Sequence, residues 1–198
     1  ASGMNALAHC VEAVYSTETQ PLTDAYCLRG IGLIARYLPR AVENSRDLEA
    51  LSHVQVAACL SGMGVYSAWT GIHHAIVHVI GGRYKAPHAE IHALMLPYAM
   101  RWNLDATVAA LARMAREIGI EGADENALAA AVPEHVFAMN RRMGLPLRLR
   151  ELGVPRERDP AAGDAQQDEV ARATVALEDL VGDAGEGPAD VTGVEVGP

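Results

Sequence analysis

The residues in this chain that could carry chemistry are histidines. Eight occur in 198 residues, and five of them (His73, His74, His78, His88 and His92) fall within positions 73–92. His74 and His78 are spaced i, i+4, as are Asn5 and His9 near the start, so each pair shares one face of a helix. His88 follows Pro87 at the head of a further segment, where it points back across a bundle. Imidazoles converging from facing helices build metal sites. Without a metal, they protonate near neutral pH and hold an anion. His92, one turn after His88, reads as a helix-packing residue. His53 and His135 stand apart and read as ordinary surface or core histidines.

The elements that must position these residues are helices. Ser2 reads as the cap of a first helix through Met4, Leu7, Ala8, Val11 and Val14, at 3.6-residue spacing. Pro21 opens a second, with Tyr26, Ile31, Leu33, Ile34 and Leu38 as its apolar set and Pro39 as its end. A third runs from about Asp47 to Trp69, with Leu48, Leu51, Val54, Val56, Ala58, Leu60 and Met63 apolar and Gly62 and Gly64 allowing a close backbone approach. A fourth, Ile72–Ile80, stops at Gly81-Gly82. Pro87 starts a fifth, running to about Asn103. Leu104–Ile118 forms a sixth, Glu125–Met143 another that Pro133 interrupts or kinks, and Leu147–Leu152 a short last one. No segment alternates long enough to make a strand. The fold class is all-α, a multi-helix bundle over residues 1–155.

Composition bounds the function classes. Half of the residues are apolar but only 5% are aromatic, so the core is built from Ala, Leu, Val, Ile and Met. The net charge is −9 and concentrates in residues 156–198, where 11 acids face three arginines. This stretch reads as an acidic, Gly-rich tail with one helix at 164–181. The nearly neutral remainder lacks the basic footprint of a nucleic-acid binder. No run approaches the roughly 18 apolar residues of a membrane span. Cys10, Cys27 and Cys59 are odd in number, lack metal-type spacing, and read as buried thiols of a cytoplasmic protein. The chain opens on Ala1 inside a dense pattern, so a fragment of a longer protein is expected.

Longer motifs narrow this further. SGMNALAH at 2–9, GIHHAIVHVIGGRYKAPH at 71–88, LMLPYAMRWN at 94–103 and GLPLRLRELGV at 144–154 resemble the helical C-terminal domain of the iron-containing alcohol dehydrogenase family. The resemblance spans residues 2–154. It implies a dehydroquinate synthase-like helical domain beside a nucleotide-binding domain, with the active site in the cleft between them. That nucleotide-binding domain is absent here, since no Gly-rich phosphate loop occurs in the chain. NAD(P)H would therefore be bound mainly by the missing domain. In metal-dependent members an Asp and three His bind Fe2+ or Zn2+. The matching positions are His9, His74 and His88, with Asn5 where the family has Asp, and His78 matches a histidine near the nicotinamide.

Asn5 changes the expected chemistry. Three imidazoles and an amide leave the full charge of a divalent ion uncompensated, so metal binding should be weak or vestigial. SGMNA, the His73-His74 pair, His78 leading into Gly81-Gly82-Arg83, and Ala89-Glu90 after His88 resemble the maleylacetate reductase branch. This branch reduces maleylacetate to 3-oxoadipate in aromatic-compound catabolism. The resemblance implies His9, His74, His78 and His88 as catalytic residues and Asn5 and Arg83 as contacts to a dicarboxylate. Two alternatives stand beside it. One is a metal-dependent alcohol dehydrogenase domain acting on an alcohol. The other is a non-catalytic helical or dimerisation module, partnered as a homodimer or by the missing domain.

Overall fold

The computed structural model describes residues 1–154. The acidic tail and its expected helix at 164–181 lie outside the described residues. Within them, the order is α1 (Ser2–Tyr15), α2 (Pro21–Glu43), α3 (Leu48–Ser67), α4 (Ile72–Tyr84), α5 (His88–Trp102), α6 (Leu104–Glu117) and α7 (Glu125–Arg142), followed by a 3-10 turn at Leu149–Leu152. No strand occurs among the described residues, and no helix there is long and apolar enough to cross a membrane. The all-helical expectation holds.

The helix starts follow local chemistry where a cap is present. Asp47 accepts from the Ala50 N–H at 3.0 Å and Asp124 from Ala127 at 2.8 Å, each satisfying a free first-turn donor. Pro21 occupies the first turn of α2, as read from the sequence. Ser2 does not cap α1. It lies inside the first turn, behind Ala1, and no side chain caps that end.

Three prolines sit inside helices rather than ending them. α2 runs through Pro39 to Glu43, and α7 runs unbroken through Pro133. Both rings are buried, so packing holds the helices together past the missing N–H. α5 contains Pro97, which frees the carbonyl of Ala93 four residues back. The buried Asn140 of α7 donates its Nδ2 to that Ala93 oxygen at 2.5 Å. The cost of the proline is thus met by a neighbouring helix. α4 likewise passes Gly81-Gly82 and ends at Tyr84, with Lys85 left-handed at φ 51° as its C-cap.

The main core joins α1, α2, α5, α6 and α7 through Met4, Leu7, Ile34, Leu96, Met100, Leu111, Met114 and Val132, all essentially inaccessible to solvent. A smaller apolar cluster sits under α4 and α5 through Ile76, Ile80, Ile91 and Met95. α5 is the central rod: every residue from Ile91 to Met100 is buried.

α3 reverses its expected face. Its buried residues are Ala50, Ala57, Ser61 and Gly64, a small-residue stripe. Leu48 is 75% exposed, and Val56 and Met63 also face outward. The reason is close approach: a Cβ on Gly64 would lie 2.6 Å from the Cys27 sulfur and 3.4 Å from Ala13. Large side chains cannot occupy that seam. Cys10 and Cys27 are buried there, as expected, and the thiol of Cys10 is pushed up by its hydrogen bond to Cys27 and by burial. Cys59 corrects the expectation. It is exposed, on the wall of a groove of about 610 Å3 lined also by Leu22, Tyr26, Met63 and Tyr66.

Candidate active site

α1, α4 and α5 bring six of the eight histidines into one layer. α1 offers Asn5, His9 and Glu12 along one face at spacings of four and three. α4 contributes His73, His74 and His78, and α5 contributes His88 and His92. The rings of His9 and His74 stack with centroids 4.8 Å apart, and those of His78 and His88 stack at 5.7 Å. The first pair lies deep, with His74 buried and His9 partly so. The second pair is exposed and forms the mouth.

His92 occupies the middle. Its centroid is 4.5 Å from His88, 4.6 Å from His74, 4.9 Å from His73 and 6.2 Å from His9. Both of its ring nitrogens are engaged: Nδ1 pairs with His73 Nε2 at 2.9 Å and Nε2 with His88 Nε2 at 3.0 Å. His73 and His92 are fully buried. The helix-packing reading of His92 is therefore too modest, because this ring organises the layer.

Glu12 is the other residue that the sequence did not single out. Its carboxylate is 1% exposed. Oε1 accepts from the backbone N–H of His73 at 3.0 Å, and Oε2 pairs closely with His74 Nδ1. The first contact caps α4 from another helix, at an end with no side-chain cap of its own. The second directs the Nδ1 proton of His74 toward the carboxylate and leaves Nε2 as the working atom. Gly71 makes room, since a Cβ there would come within 2.9 Å of Oε1. One signal was available in the sequence: Glu12 is the sole acid in α1 and sits in an apolar run. Its partners, 61 and 62 positions away, were not legible.

Burial first, and then the neighbouring imidazoles, hold these rings below the usual histidine range. His9 is pushed down to about 4 and His92 to about 3. His73 is lowered well below its ordinary value and His88 is lowered as well, for the same reasons in the same order. The expectation of readily charged imidazoles does not fit the free site, whose lowered rings are neutral at pH 7 and act as N–H donors or lone-pair acceptors. Arg83 is exposed on the last turn of α4, with its guanidinium 5.5 Å from the centre of the Tyr84 ring. His53 stacks on Tyr37 at 4.1 Å, away from the layer, and His135 is partly buried on α7.

The donor set does not suit a tightly held divalent ion. His74 Nε2 and Asn5 Oδ1 are buried without a partner and are free to ligate. His88 Nε2, however, is engaged by His92, and Asn5 brings no charge. Ring nitrogens of His73, His74 and His92 do lie within 4.8 Å of one another. Yet His73 and His92 approach to 2.9 Å, closer than the roughly 3.3 Å between two ligands on a tetrahedral zinc. The layer is contracted onto its own hydrogen bonds.

Comparison with known proteins places this helical domain. Residues 1–177 match the family model for the C-terminal part of the Fe-containing alcohol dehydrogenases. The chain belongs to that family. It is 34% identical over 163 residues to the maleylacetate reductase of Burkholderia cepacia, covering 82% of this chain and 44% of that protein. It is also 34% identical over 187 residues to the lactaldehyde reductase of Escherichia coli K12, covering 91% and 48%. The crystal structure of a 1,3-propanediol oxidoreductase superimposes with a TM-score of 0.78 at 32% identity, covering 88% of this chain and 50% of that one. The chain thus spans about half the length of the relatives it matches. Equal identity to two enzymes of different name leaves the substrate to be argued from the site.

Proposed function

We propose that this chain is the substrate-binding half of an NAD(P)H-dependent maleylacetate reductase, working without a bound metal. One observation carries the reading. Asn5 stands at the position where the resemblance expects an aspartate ligand, and His88, one of the three imidazoles that the resemblance assigns to the metal, is committed to His92. A dicarboxylate also suits a pocket whose only buried acid, Glu12, is already occupied by His73 and His74.

NAD(P)H, held mainly by the half not present in this chain, supplies the hydride to one carbon of the substrate's conjugated double bond. Negative charge then develops on the neighbouring ketone oxygen. N–H groups of His9 and His88, with the Asn5 amide, stabilise that oxygen as preorganised donors. The proton for the second carbon comes from solvent and passes through His74: Nε2 takes it up while the Glu12 carboxylate supports the ring at Nδ1, and then hands it to carbon. His78, at the exposed mouth, would face the nicotinamide. Arg83 binds one carboxylate, for which its forked guanidinium is better suited than Lys85.

The test is turnover by the complete enzyme after exhaustive chelation. The expected result is undiminished NAD(P)H oxidation with maleylacetate and none with lactaldehyde or 1,3-propanediol. Activity on an alcohol that returns only with added Fe2+ or Zn2+ would establish the metal-dependent reading instead.

A further inference from the structure

We infer that His92 is the specificity device that keeps this site free of metal, an internal imidazole standing where the domain would otherwise hold an ion. This rests on the metal-free reading above and names the residue responsible for it.

Three observations converge. First, His92 lies i+4 from His88 on α5, so both rings project from one face and meet at 3.0 Å between their Nε2 atoms. That contact uses the nitrogen of His88 that would otherwise be free for a cation. Secondly, His92 is anchored from its other side: Nδ1 meets His73 Nε2 at 2.9 Å, and both residues are fully buried. A ring tied at both nitrogens inside a packed core cannot swing away without leaving buried polar atoms unpaired. Thirdly, His92 stands closer than 6.5 Å, centre to centre, to each of His9, His74 and His88. It neighbours all three histidines that the family resemblance assigns to the metal.

The arrangement also accounts for His73. Its Nε2 serves only to hold His92, and its Nδ1 has no partner. The pair His73–His92 is one unit, a buried brace that engages Nε2 of His88 at the mouth. A divalent ion must break the His88–His92 hydrogen bond before His88 can ligate it, and it gains no carboxylate from Asn5 in return.

The experiment is a zinc titration, by calorimetry with elemental analysis of bound metal, of the full chain and of His92→Leu, which nearly fills the ring's volume while removing both hydrogen bonds. The wild type is expected to bind weakly. His92→Leu should bind one zinc about tenfold more tightly, roughly the competition that one hydrogen bond provides. His73→Leu, which releases the brace but leaves His88 and His92 in place, should give a smaller increase. Unchanged affinity in both variants overturns the inference. Weakened affinity in His92→Leu also overturns it, since His92 would then be a ligand itself. If His92→Leu does not fold, long-range 15N spectra of the wild-type imidazoles keep the question open to refutation. Excess zinc should leave the His88 Nε2 and His92 Nε2 resonances in place, and a metal-bound shift at His88 alone would overturn the inference. Failure here leaves the substrate assignment standing, because turnover after chelation is read separately.

Discussion

Around α6, burial is a matter of volume. Leu111, Met114 and Ala115 are sealed in the main core and hold no side-chain atom that needs a hydrogen-bond partner. Around the first turns of α4 and α5, burial is a matter of partners. His73, His74, His92 and Glu12 are as deeply enclosed, but every one is defined by what its nitrogen or oxygen meets. The first region tolerates change in identity if size is kept. The second tolerates change in size less than change in hydrogen bonding, because an unpaired buried polar atom costs about 1–3 kcal/mol. Stability resides mainly in the first region and the proposed chemistry in the second, although they share α1 and α5.

The contrast can be broken most severely in the apolar region. Leu111→Ala should lower unfolding free energy by about 4 kcal/mol, since it leaves a cavity in a rigid core. Urea unfolding at pH 7.5 and pH 5 should show the same loss at both. A loss that depends on pH would mean that the two regions are not separate.

Acid should act mainly on the imidazole layer, with a further contribution from the partly buried His135, which burial also lowers. The folded-state values of His9, about 4, and His92, about 3, lie below the unfolded value near 6.5. The unfolded chain therefore binds more protons between those limits. Stability is complete above pH 6.5 and falls as pH falls, by about 2 kcal/mol per neutral ring between pH 6.5 and 5. A urea midpoint that stays constant over this range would refute the buried, neutral layer.

Glu12→Gln sharpens the comparison on the chemical side. The amide oxygen can still accept from His73, so the loss of stability should be near 1.5 kcal/mol. The orientation of His74 is no longer enforced, and kcat of the complete enzyme should fall by about 10- to 100-fold with little change in KM. A matching fall in stability and an unchanged kcat would reduce Glu12 to a helix cap. The smallest effect belongs to the surface. Arg142→Ala removes an exposed pair with Glu43 and should change stability by less than about 1 kcal/mol, as measured by the thermal midpoint.

Much of this was legible in the linear order of residues. Helical periodicity and Pro21 located the elements to within a few residues, because those signals act within one or two turns. His9, His74, His78 and His88 were legible as candidates through their spacing and the motifs around them. Pro39, Pro97 and Pro133 misled or were silent, because what rescues a proline inside a helix is packing or a donor such as Asn140 from elsewhere in the chain. α3 misled for a similar reason. Apolar periodicity marks a face able to be buried, whereas Gly64 and Ala57 mark the face that fits.

The sequence by itself determined an all-helical class for the described residues, a concentration of acidic charge in positions 156–198, a family and a cluster of imidazoles. These follow from residue type and short-range spacing. Only the tertiary structure decided that Glu12 braces His74, that His73 and His92 join the imidazole layer, and that Nε2 of His88 is engaged by His92. Such facts depend on which atoms of distant segments come within about 3 Å of one another, a distance that the packing of helices sets and that no local pattern encodes.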